Sequence, residues 1–517
     1  MTGAARLSAA VTLLGALTAC TAIPERTVQK AASPAPQEPW TPPAAGRMPA
    51  PETAPPPQVP EEYTKAGTTL SLGQLVDVAL RNNPVTREAW RNARAAAAEV
   101  GSKRSGYFPF VEADSVMERA KSSDATGRLT FIQTTYGPSV AASWLLFDFG
   151  AREADVQEST RALYSADWAH NAAIQTVVLS VAQEYYRYLN AKAQVVAQQA
   201  SLEETRRNLA AAEERHRAGV ATIADVLQAR TQASQVQLAL QDAEGQVQII
   251  RGSLATALGI PATVPVDVGE LPTDLPLDKL QKNVDELIAK AVTDRPDLAA
   301  ERFRALAAES HIRAAAVDGM PSLRLDATGA RTFFWKNAAP DPFSTTWAGL
   351  ITLRIPVFRG FQTAYDVQQA REQAEAAKAS AERTLDQVIL DVWSSYYAVQ
   401  TAAQRVRTTR DLLASADQST QVAEGRYRAG VGSILDLLTA QSALAEARSE
   451  EAQARSLWFL SVAQLAFSTG VLQPGSPEIR GLPALQVPPA QGAPSGAGNA
   501  SDAGTAPQPG STPDGRP

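Results

Sequence analysis

The sequence predicts a mainly α-helical fold with a membrane β part, built as two copies of one structural unit. Three observations predict it: sequence landmarks recur at a fixed offset, two helical runs are unusually long, and four segments alternate apolar with polar residues. The chain has 517 residues, of which 44% are hydrophobic and 20% are charged. Its mean hydropathy of −0.18 excludes a polytopic helical membrane protein.

The composition also argues against an enzyme, a metalloprotein and a nucleic-acid-binding protein. One Cys excludes an intrachain disulfide and a Cys-based zinc site, and three widely spaced His residues disfavour a His-centred site. A net charge of −6 gives no basis for binding nucleic acid. The sequence has no Gly-rich phosphate loop, no G-x-S-x-G and no H-E-x-x-H motif. We therefore expect no catalysis, no metal and no cofactor.

The N-terminus has the pattern of a bacterial lipoprotein signal. Residues 1–19 hold Arg6 and then a short apolar stretch, and Leu17-Thr18-Ala19-Cys20 resembles a lipobox. The sequence thus predicts lipidation of Cys20, and Thr21 after it favours the outer membrane. The alternative is an ordinary signal peptide with an incidental Cys. Residues 20–68 form a Pro-rich linker, and the Pro-, Gly-, Ala- and Ser-rich residues 473–517 predict a disordered tail.

The body between these ends is a duplication, with units at residues 69–270 and 271–472. Residues 75–84 align with residues 287–296 at an offset of about 212, and Phe108-Pro109 matches Met320-Pro321 at the same offset. Three later pairs recur at about 211: Asp155-Val156-Gln157 with Asp366-Val367-Gln368, Tyr185-Tyr186 with Tyr396-Tyr397, and Arg217-Ala218-Gly219-Val220 with Arg428-Ala429-Gly430-Val431. The slip of one residue falls between Pro109 and Asp155, where we predict a loop.

Each unit begins with an Ala-rich helix, at residues 72–104 and 285–318, which ends before Pro109 or Pro321. A β-hairpin follows, at residues 107–147 and 321–358. One face of the four strands is apolar: Val111, Ala113, Ser115, Met117, Val140, Ala142, Trp144, Leu146, Leu323, Leu325, Ala327, Trp347, Gly349, Ile351, Leu353 and Ile355. The opposite face is polar or small: Glu112, Asp114, Ser139, Ala141, Ser143, Ser322, Arg324, Asp326, Thr328, Thr346, Ala348, Thr352 and Arg354.

Two-faced strands of about ten residues suit lipid on one side and water on the other. Aromatic residues gather at the strand ends, as in interfacial belts: Tyr107, Phe131, Tyr136, Phe147, Phe149, Phe333, Phe334, Trp335, Phe343 and Phe358. The alternative is a pair of ordinary hairpins packed on helices, but no other sheet is predicted to cover their apolar faces. Four strands cannot close a barrel, so the barrel must be shared between chains.

A helical run without Pro follows each hairpin, at residues 151–217 and 362–428, and would be about 100 Å long. Each run ends at Arg-Ala-Gly-Val, a turn where Gly can adopt a left-handed conformation. Shorter helices return over residues 222–258 and 433–469. A leading and a return helix stacked end to end match one long helix, which predicts a cylinder of paired helices.

Residues 70–470 resemble a TolC-type outer-membrane factor of the lipoprotein branch. The resemblance rests on the duplicated plan, on Phe147-Asp148-Phe149-Gly150 before the first long helix, and on Tyr427-Arg428-Ala429-Gly430-Val431 followed by Asp436. It implies a homotrimer with a twelve-stranded β-barrel in the outer membrane of a Gram-negative bacterium. An α-helical barrel would continue this pore through the periplasm. The implied partners are outer-membrane lipid, a periplasmic adaptor protein and a proton- or ATP-driven inner-membrane pump.

The resemblance also implies site residues and a function, the passive efflux of small molecules. Gly219, Val220, Gly430 and Val431 match adaptor-docking tips, and Asp225, Tyr427 and Asp436 match a periplasmic gate. Gly432 and Thr439 stand where some members have Arg and a second Asp, which departs from the full gate pattern. The alternative for Asp436 is a residue near a helix N-cap, stabilised by the helix dipole. The alternative functions are a type I protein secretion channel and a non-porous structural lipoprotein.

Overall fold

The computed structural model describes residues 59–60, 63, 68–123, 130–273, 275–277, 283–335 and 343–474. The predictions for the signal peptide, for lipidated Cys20, for most of the Pro-rich linker and for the tail after residue 474 lie outside these residues. None of the helices described is both long and apolar enough to cross a membrane.

The two units have the same order of elements. The first holds helices α1 (Leu72–Asn82) and α2 (Pro84–Arg104), strands β1 (Phe110–Ser123) and β2 (Thr130–Phe147), and helices α3 (Ala151–Arg217) and α4 (Ile223–Ala257). The second holds helices α5 (Val284–Asp294) and α6 (Pro296–Val317), strands β3 (Ser322–Phe334) and β4 (Phe343–Arg354), and helices α7 (Gln362–Arg428) and α8 (Ile434–Ser468).

The predicted long helices and their return helices are confirmed. Helices α3 and α7 each have 67 residues, or about 100 Å at 1.5 Å per residue. Helices α4 and α8 each have 35 residues. Helix α3 packs against α4 and α8 and also against α2 and α6, while α7 packs against α8, α6 and α5. Each long helix is therefore flanked by shorter helices along its length, and α6 and α8 join the two units.

The prediction of a single leading helix in each unit is wrong, because each unit begins with two helices. The chain breaks at Asn83 and at Arg295, which have extended backbones with ψ of 128° and 120°. Each precedes a proline, whose ring disfavours the helical conformation of the residue before it. Asn83 then caps α2, because its side-chain oxygen accepts a hydrogen bond from the backbone N–H of Val85 at 2.8 Å.

The strands form one antiparallel sheet in the order β1-β2-β3-β4. They have 14, 18, 13 and 12 residues and so exceed the predicted ten. Phe110 pairs with Ser143, Ser322 pairs with Arg354, and neither hairpin ladder shifts register. The one-residue difference between the units therefore falls in the connection between the strands of a hairpin, within the stretch where we predicted a loop.

The register confirms the two predicted faces. Across the sheet Val140 pairs with Ala113 and Gly329, whereas Ala141 pairs with Glu112 and Thr328. Wherever two of the predicted positions pair, both thus belong to the same predicted face. Leu146 is the exception, because a bulge between Leu145 and Phe147 removes it from the ladder and places Phe147 opposite Leu323.

The hydrophobic core lies near the middle of the long helices, where both units meet. Its members come from α1, α3, α4, α5, α6, α7 and α8 and include Leu75, Val178, Val181, Leu189, Leu254, Leu287, Leu298, Val392, Val406 and Leu465. The rings of Tyr186 in α3 and Phe459 in α8 stack there at 4.9 Å. Toward the tips the apolar contacts become small separate clusters, for example Ala212 with Val226 and Ala229, or Leu202 with Val236 and Leu240. The hairpins beyond the core are therefore held by little apolar surface.

Candidate functional site

The candidate site is the pair of turns at which α3 and α7 end, called here the first and the second tip. Gly219 and Gly430 have φ of +76° and +77°, in the left-handed region that favours glycine. The N–H of Val220 donates to the Arg215 carbonyl, and the N–H of Val431 donates to the Arg426 carbonyl, both at 3.0 Å. Each tip is thus a Schellman turn that ends its long helix abruptly.

The four predicted docking residues lie together at these turns, two on each tip. Val220 and Val431 are 67% and 69% exposed, which is unusual for valine in a folded chain. A Cβ added to Gly219 would meet open space, and one added to Gly430 would come no closer than 3.9 Å to Arg215 Nη2. The tips therefore present small apolar surfaces, and their role in adaptor docking remains a prediction.

Asp225 and Asp436 close capping boxes at the starts of the return helices. The Asp225 carboxylate accepts a hydrogen bond from the N–H of Thr222 at 2.8 Å, and Asp436 accepts one from Ser433 at 3.3 Å. The hydroxyls of Thr222 and Ser433 accept in return from the backbone N–H groups of the two aspartates. Within one chain, the structure thus gives Asp436 the alternative role of a residue near an N-cap.

Tyr427 is buried at the second tip, where it is 7% exposed and packs with Ile434, Leu437 and Leu438. Its hydroxyl has no hydrogen-bond partner within the described part of the chain. Burial raises the pKa of this hydroxyl, the nearby Arg215 guanidinium lowers it, and the Asp225 carboxylate raises it again, so the net direction is upward. Arg215 and Asp225 of the first tip therefore lie close enough to act electrostatically on Tyr427 of the second tip.

Arg215 is the residue at this site that sequence reasoning missed. Its Nη1 donates to the Tyr427 carbonyl at 2.7 Å, and its guanidinium lies 4.7 Å from the centre of the Tyr427 ring. The repeat does not predict this contact, because the equivalent position of the second unit is also an arginine, Arg426. Arg215 and Arg426 thus occupy equivalent positions in the repeat but have different surroundings. Only the packing of α3 against the second tip decides this difference.

A second polar group connects the sheet to helix α3. Asp148 accepts hydrogen bonds from the N–H of Gly150 at 3.2 Å and the N–H of Arg152 at 3.0 Å, and it pairs with Arg152 Nε at 2.9 Å. Arg152 also donates to the carbonyls of Leu145 and Gly106 at 2.7 and 3.2 Å. The Phe147-Asp148-Phe149-Gly150 motif therefore fixes the direction in which the chain leaves β2.

The aromatic residues of the sheet form two groups at opposite ends of the strands. Tyr136 lies 5.4 Å from Phe333 and 6.4 Å from Trp335 in the group near the hairpin connections. At the helix end, Phe147 lies 4.8 Å from Phe149, and Phe358 lies 5.4 Å from Phe361. The side chain of Phe131 lies outside what the structure describes.

The described residues hold no group of three or more His, Cys, Asp or Glu that could bind a metal ion. What the geometry does contain is an open sheet with one apolar face, mounted on two helical hairpins about 100 Å long. This is the arrangement that the resemblance to outer-membrane factors implies for one chain. The sequence model of the outer membrane efflux protein family matches residues 75–260 and 287–471, so the chain belongs to that family.

Among its relatives is protein CyaE of Bordetella pertussis, 26% identical over 380 residues that cover 73% of this chain and 79% of CyaE. The outer membrane protein OprJ of Pseudomonas aeruginosa is also 26% identical, covering 72% of this chain and 78% of OprJ. The solved structure of the outer-membrane channel OprN superposes with a TM-score of 0.69 at 20% identity, over 77% of this chain and 89% of that one. The Vibrio cholerae outer membrane protein VceC gives 0.67 at 20% identity, over 79% and 97%. These structures share the fold, which confirms the predicted fold class.

Proposed function

We propose that three copies of this chain form the outer-membrane channel of a tripartite export system, which passes small molecules to the exterior. Membership of the outer membrane efflux protein family supports the export function. Several relatives are named as efflux components, including the toluene efflux pump outer membrane protein TtgC and the pyoverdine export outer membrane protein OpmQ. The observation that carries the proposal is the open, two-faced sheet.

The number of strands supports a trimer. The sheet has β1 and β4 at its edges, and lipid-exposed edges would leave backbone groups without partners. Joining β1 of one copy to β4 of the next removes both edges. Two copies would give eight strands, whose interior is about filled by side chains, so three copies are the fewest that leave an open lumen.

The spacing of the aromatic groups supports a membrane barrel. Tyr136 and Phe147 lie eleven positions apart on β2, which corresponds to about 36 Å along a strand. At a tilt of about 45° this distance spans about 25 Å across the membrane, the height of the apolar band of outer-membrane barrels. The apolar face between the groups would contact lipid, and Glu112, Asp114 and Asp326 on the other face would line the lumen.

The tips at the far ends of α3 and α7 would lie in the periplasm and receive the adaptor protein, with a pump of the inner membrane behind it. The exposed valines of both turns support this docking role. Asp225, Tyr427 and Asp436 would form the gate there, with Tyr427 buried behind the surface that the two aspartates contribute. Cys20 would carry lipid that anchors the N-terminus in the outer membrane. The alternative function is a type I protein secretion channel, and the exported cargo separates it from the efflux of small molecules.

Two measurements test the proposal. Mass measurement in mild detergent should return about three times 54.9 kDa, slightly less once the signal peptide is removed. Planar-bilayer recording should then detect single channels. A monodisperse monomer, or a trimer without conductance under any voltage, would contradict the channel and leave the non-porous structural lipoprotein.

The two faces of the sheet allow a sharper test with a matched control. Thr328→Cys lies on the polar face and Ala327→Cys is its neighbour on the apolar face. A water-soluble, membrane-impermeant thiol reagent should label Thr328→Cys and reduce its conductance, because that side chain faces the lumen. Ala327→Cys should stay unlabelled. Equal labelling of both variants would refute the assignment of the faces.

A further inference from the structure

The contact between Arg215 and Tyr427 connects the two tips of one chain. Arg215 lies in the last turn of α3, and Tyr427 lies in the last turn of α7, 212 residues away. Arg215 Nη1 donates to the Tyr427 carbonyl at 2.7 Å, and the guanidinium stands 4.7 Å from the ring centre. A hydrogen bond from a charged donor, combined with a cation–π contact, is among the stronger pairings open to arginine.

The carbonyl that Arg215 contacts also belongs to the second tip itself. The Gly430 N–H donates to the same Tyr427 carbonyl at 3.1 Å, as part of the Schellman turn. Carbonyls in the last turn of a helix carry partial negative charge, which favours a cation beside them. Arg215 therefore supports the turn of the other hairpin as well as the position of the Tyr427 ring.

The contact between Arg215 and Tyr427, called here the brace, has no counterpart from the second unit to the first. Arg426, the equivalent of Arg215 in the second unit, is exposed and makes no side-chain hydrogen bond or ion pair within the described ranges. The equivalent of Tyr427 in the first unit is His216, whose Nδ1 lies 3.0 Å from the Ala221 carbonyl of its own tip. The duplicated tips thus differ in chemistry at the two positions that join them.

We infer that Arg215 is a positioning residue of the periplasmic end, which holds the two tips of each chain together in the resting channel. The inference rests on the proposed channel function. Tips that part must break the contacts of Arg215 with both the carbonyl and the ring of Tyr427. Each small apolar cluster beyond the core lies within a single hairpin, so none of these clusters joins the first tip to the second. Nearer the core, Gln232 donates to Ser442 and Arg448 pairs with Glu204 across the two hairpins, so Arg215 is the contact between them that lies at the tips themselves.

The test compares single-channel conductance in Arg215→Gln, Arg215→Lys and the matched control Arg426→Gln. Arg215→Gln should raise the resting conductance severalfold, because glutamine provides neither the charge nor the stacking. Arg215→Lys should raise it less, since lysine keeps the charge but loses the planar fork. Arg426→Gln, which removes the same charge at the equivalent position, should conduct like the wild type.

A double variant separates the brace from a general effect on stability. In Tyr427→Ala, adding Arg215→Gln should change conductance little, because the two residues act through one contact. The inference is overturned if Arg215→Gln conducts like the wild type, if Arg426→Gln raises conductance as much, or if Arg215→Gln raises it equally with and without Tyr427. A failure of the proposed function would look different, because neither the wild type nor any variant would then form channels.

Discussion

Replacing Asp148 by Asn removes one charge from a buried ion pair while keeping the side-chain shape. Asp148 and Arg152 have side chains only 10% and 15% exposed, with Nε and Oδ2 at 2.9 Å. The carboxylate also accepts two backbone hydrogen bonds at the start of α3. Asparagine leaves the Arg152 guanidinium buried without its counter-charge, which is strongly unfavourable in a protein interior.

The expected loss in the free energy of unfolding is about 3 kcal/mol, at the lower end of the range for a broken buried ion pair. The lower end applies because Arg152 still donates hydrogen bonds to the carbonyls of Leu145 and Gly106. Its guanidinium also stays 4.9 Å from the centre of the Tyr107 ring. At about 2 °C per kcal/mol for a long chain, the helices should melt about 6 °C lower. Thermal melting followed by circular dichroism in mild detergent measures the shift.

The second unit provides the matched control. Arg359 Nη1 pairs with Asp318 Oδ2 at 2.8 Å near the equivalent junction, but the two side chains are 34% and 68% exposed. Solvent screens such a pair, which is worth about 0–1 kcal/mol. Asp318→Asn should therefore shift melting by less than about 2 °C. Equal shifts in the two variants would refute the claim that burial of the Asp148–Arg152 pair sets its strength.

The pH dependence provides an independent check on Asp148. Burial raises the pKa of this carboxyl, but hydrogen bonds from Arg152 and Gly150 and the charge of Arg152 lower it overall, to below the usual 3.8. Its stabilising contribution is complete above the unfolded pKa and is lost as the pH falls through the folded pKa. The melting difference between wild type and Asp148→Asn should thus be constant from neutral pH to about pH 5 and shrink below about pH 4. A difference that grows with acid would contradict this reasoning.

Three further variants test the predicted anchor, tips and gate. Cys20→Ser should abolish metabolic lipid labelling, because the chain has no other thiol, and undiminished labelling would exclude Cys20 as the acceptor. Gly430→Trp should reduce export while trimers still form, since a bulky side chain blocks a partner and strains a residue with φ of +77° by about 1 kcal/mol; normal export would show that the tip is only a loop. Asp436→Ala should weaken cation preference and block by divalent ions if three carboxylates ring the pore. If Asp436 acts only in its capping box, selectivity stays unchanged and stability falls by about 1 kcal/mol.

The sequence by itself determined the repeat, the lengths of the helices and the two faces of the sheet. These features are local and periodic: residues 151–217 contain no Pro, and the alternation around Val140 and Ala141 has the period of a strand. The glycines of the tips could be placed from sequence for the same reason, since a left-handed turn after a helix has a local signature. The break at Asn83 was equally local, but it depends on one proline within an otherwise helical pattern.

Only the tertiary structure decided which side chains join one hairpin to another. Arg215 and Arg426 precede the same Gly-Val turn, yet Arg215 alone reaches Tyr427, because α3 lies beside the second tip. Asp148 and Arg359 each follow the second strand of a hairpin. Asp148 is buried with Arg152, whereas Arg359 pairs with Asp318 at the surface. Such contacts cross between elements far apart in the chain, so no spacing in the sequence encodes them. The burial that fixes their strength exists only once the helices and the sheet have packed.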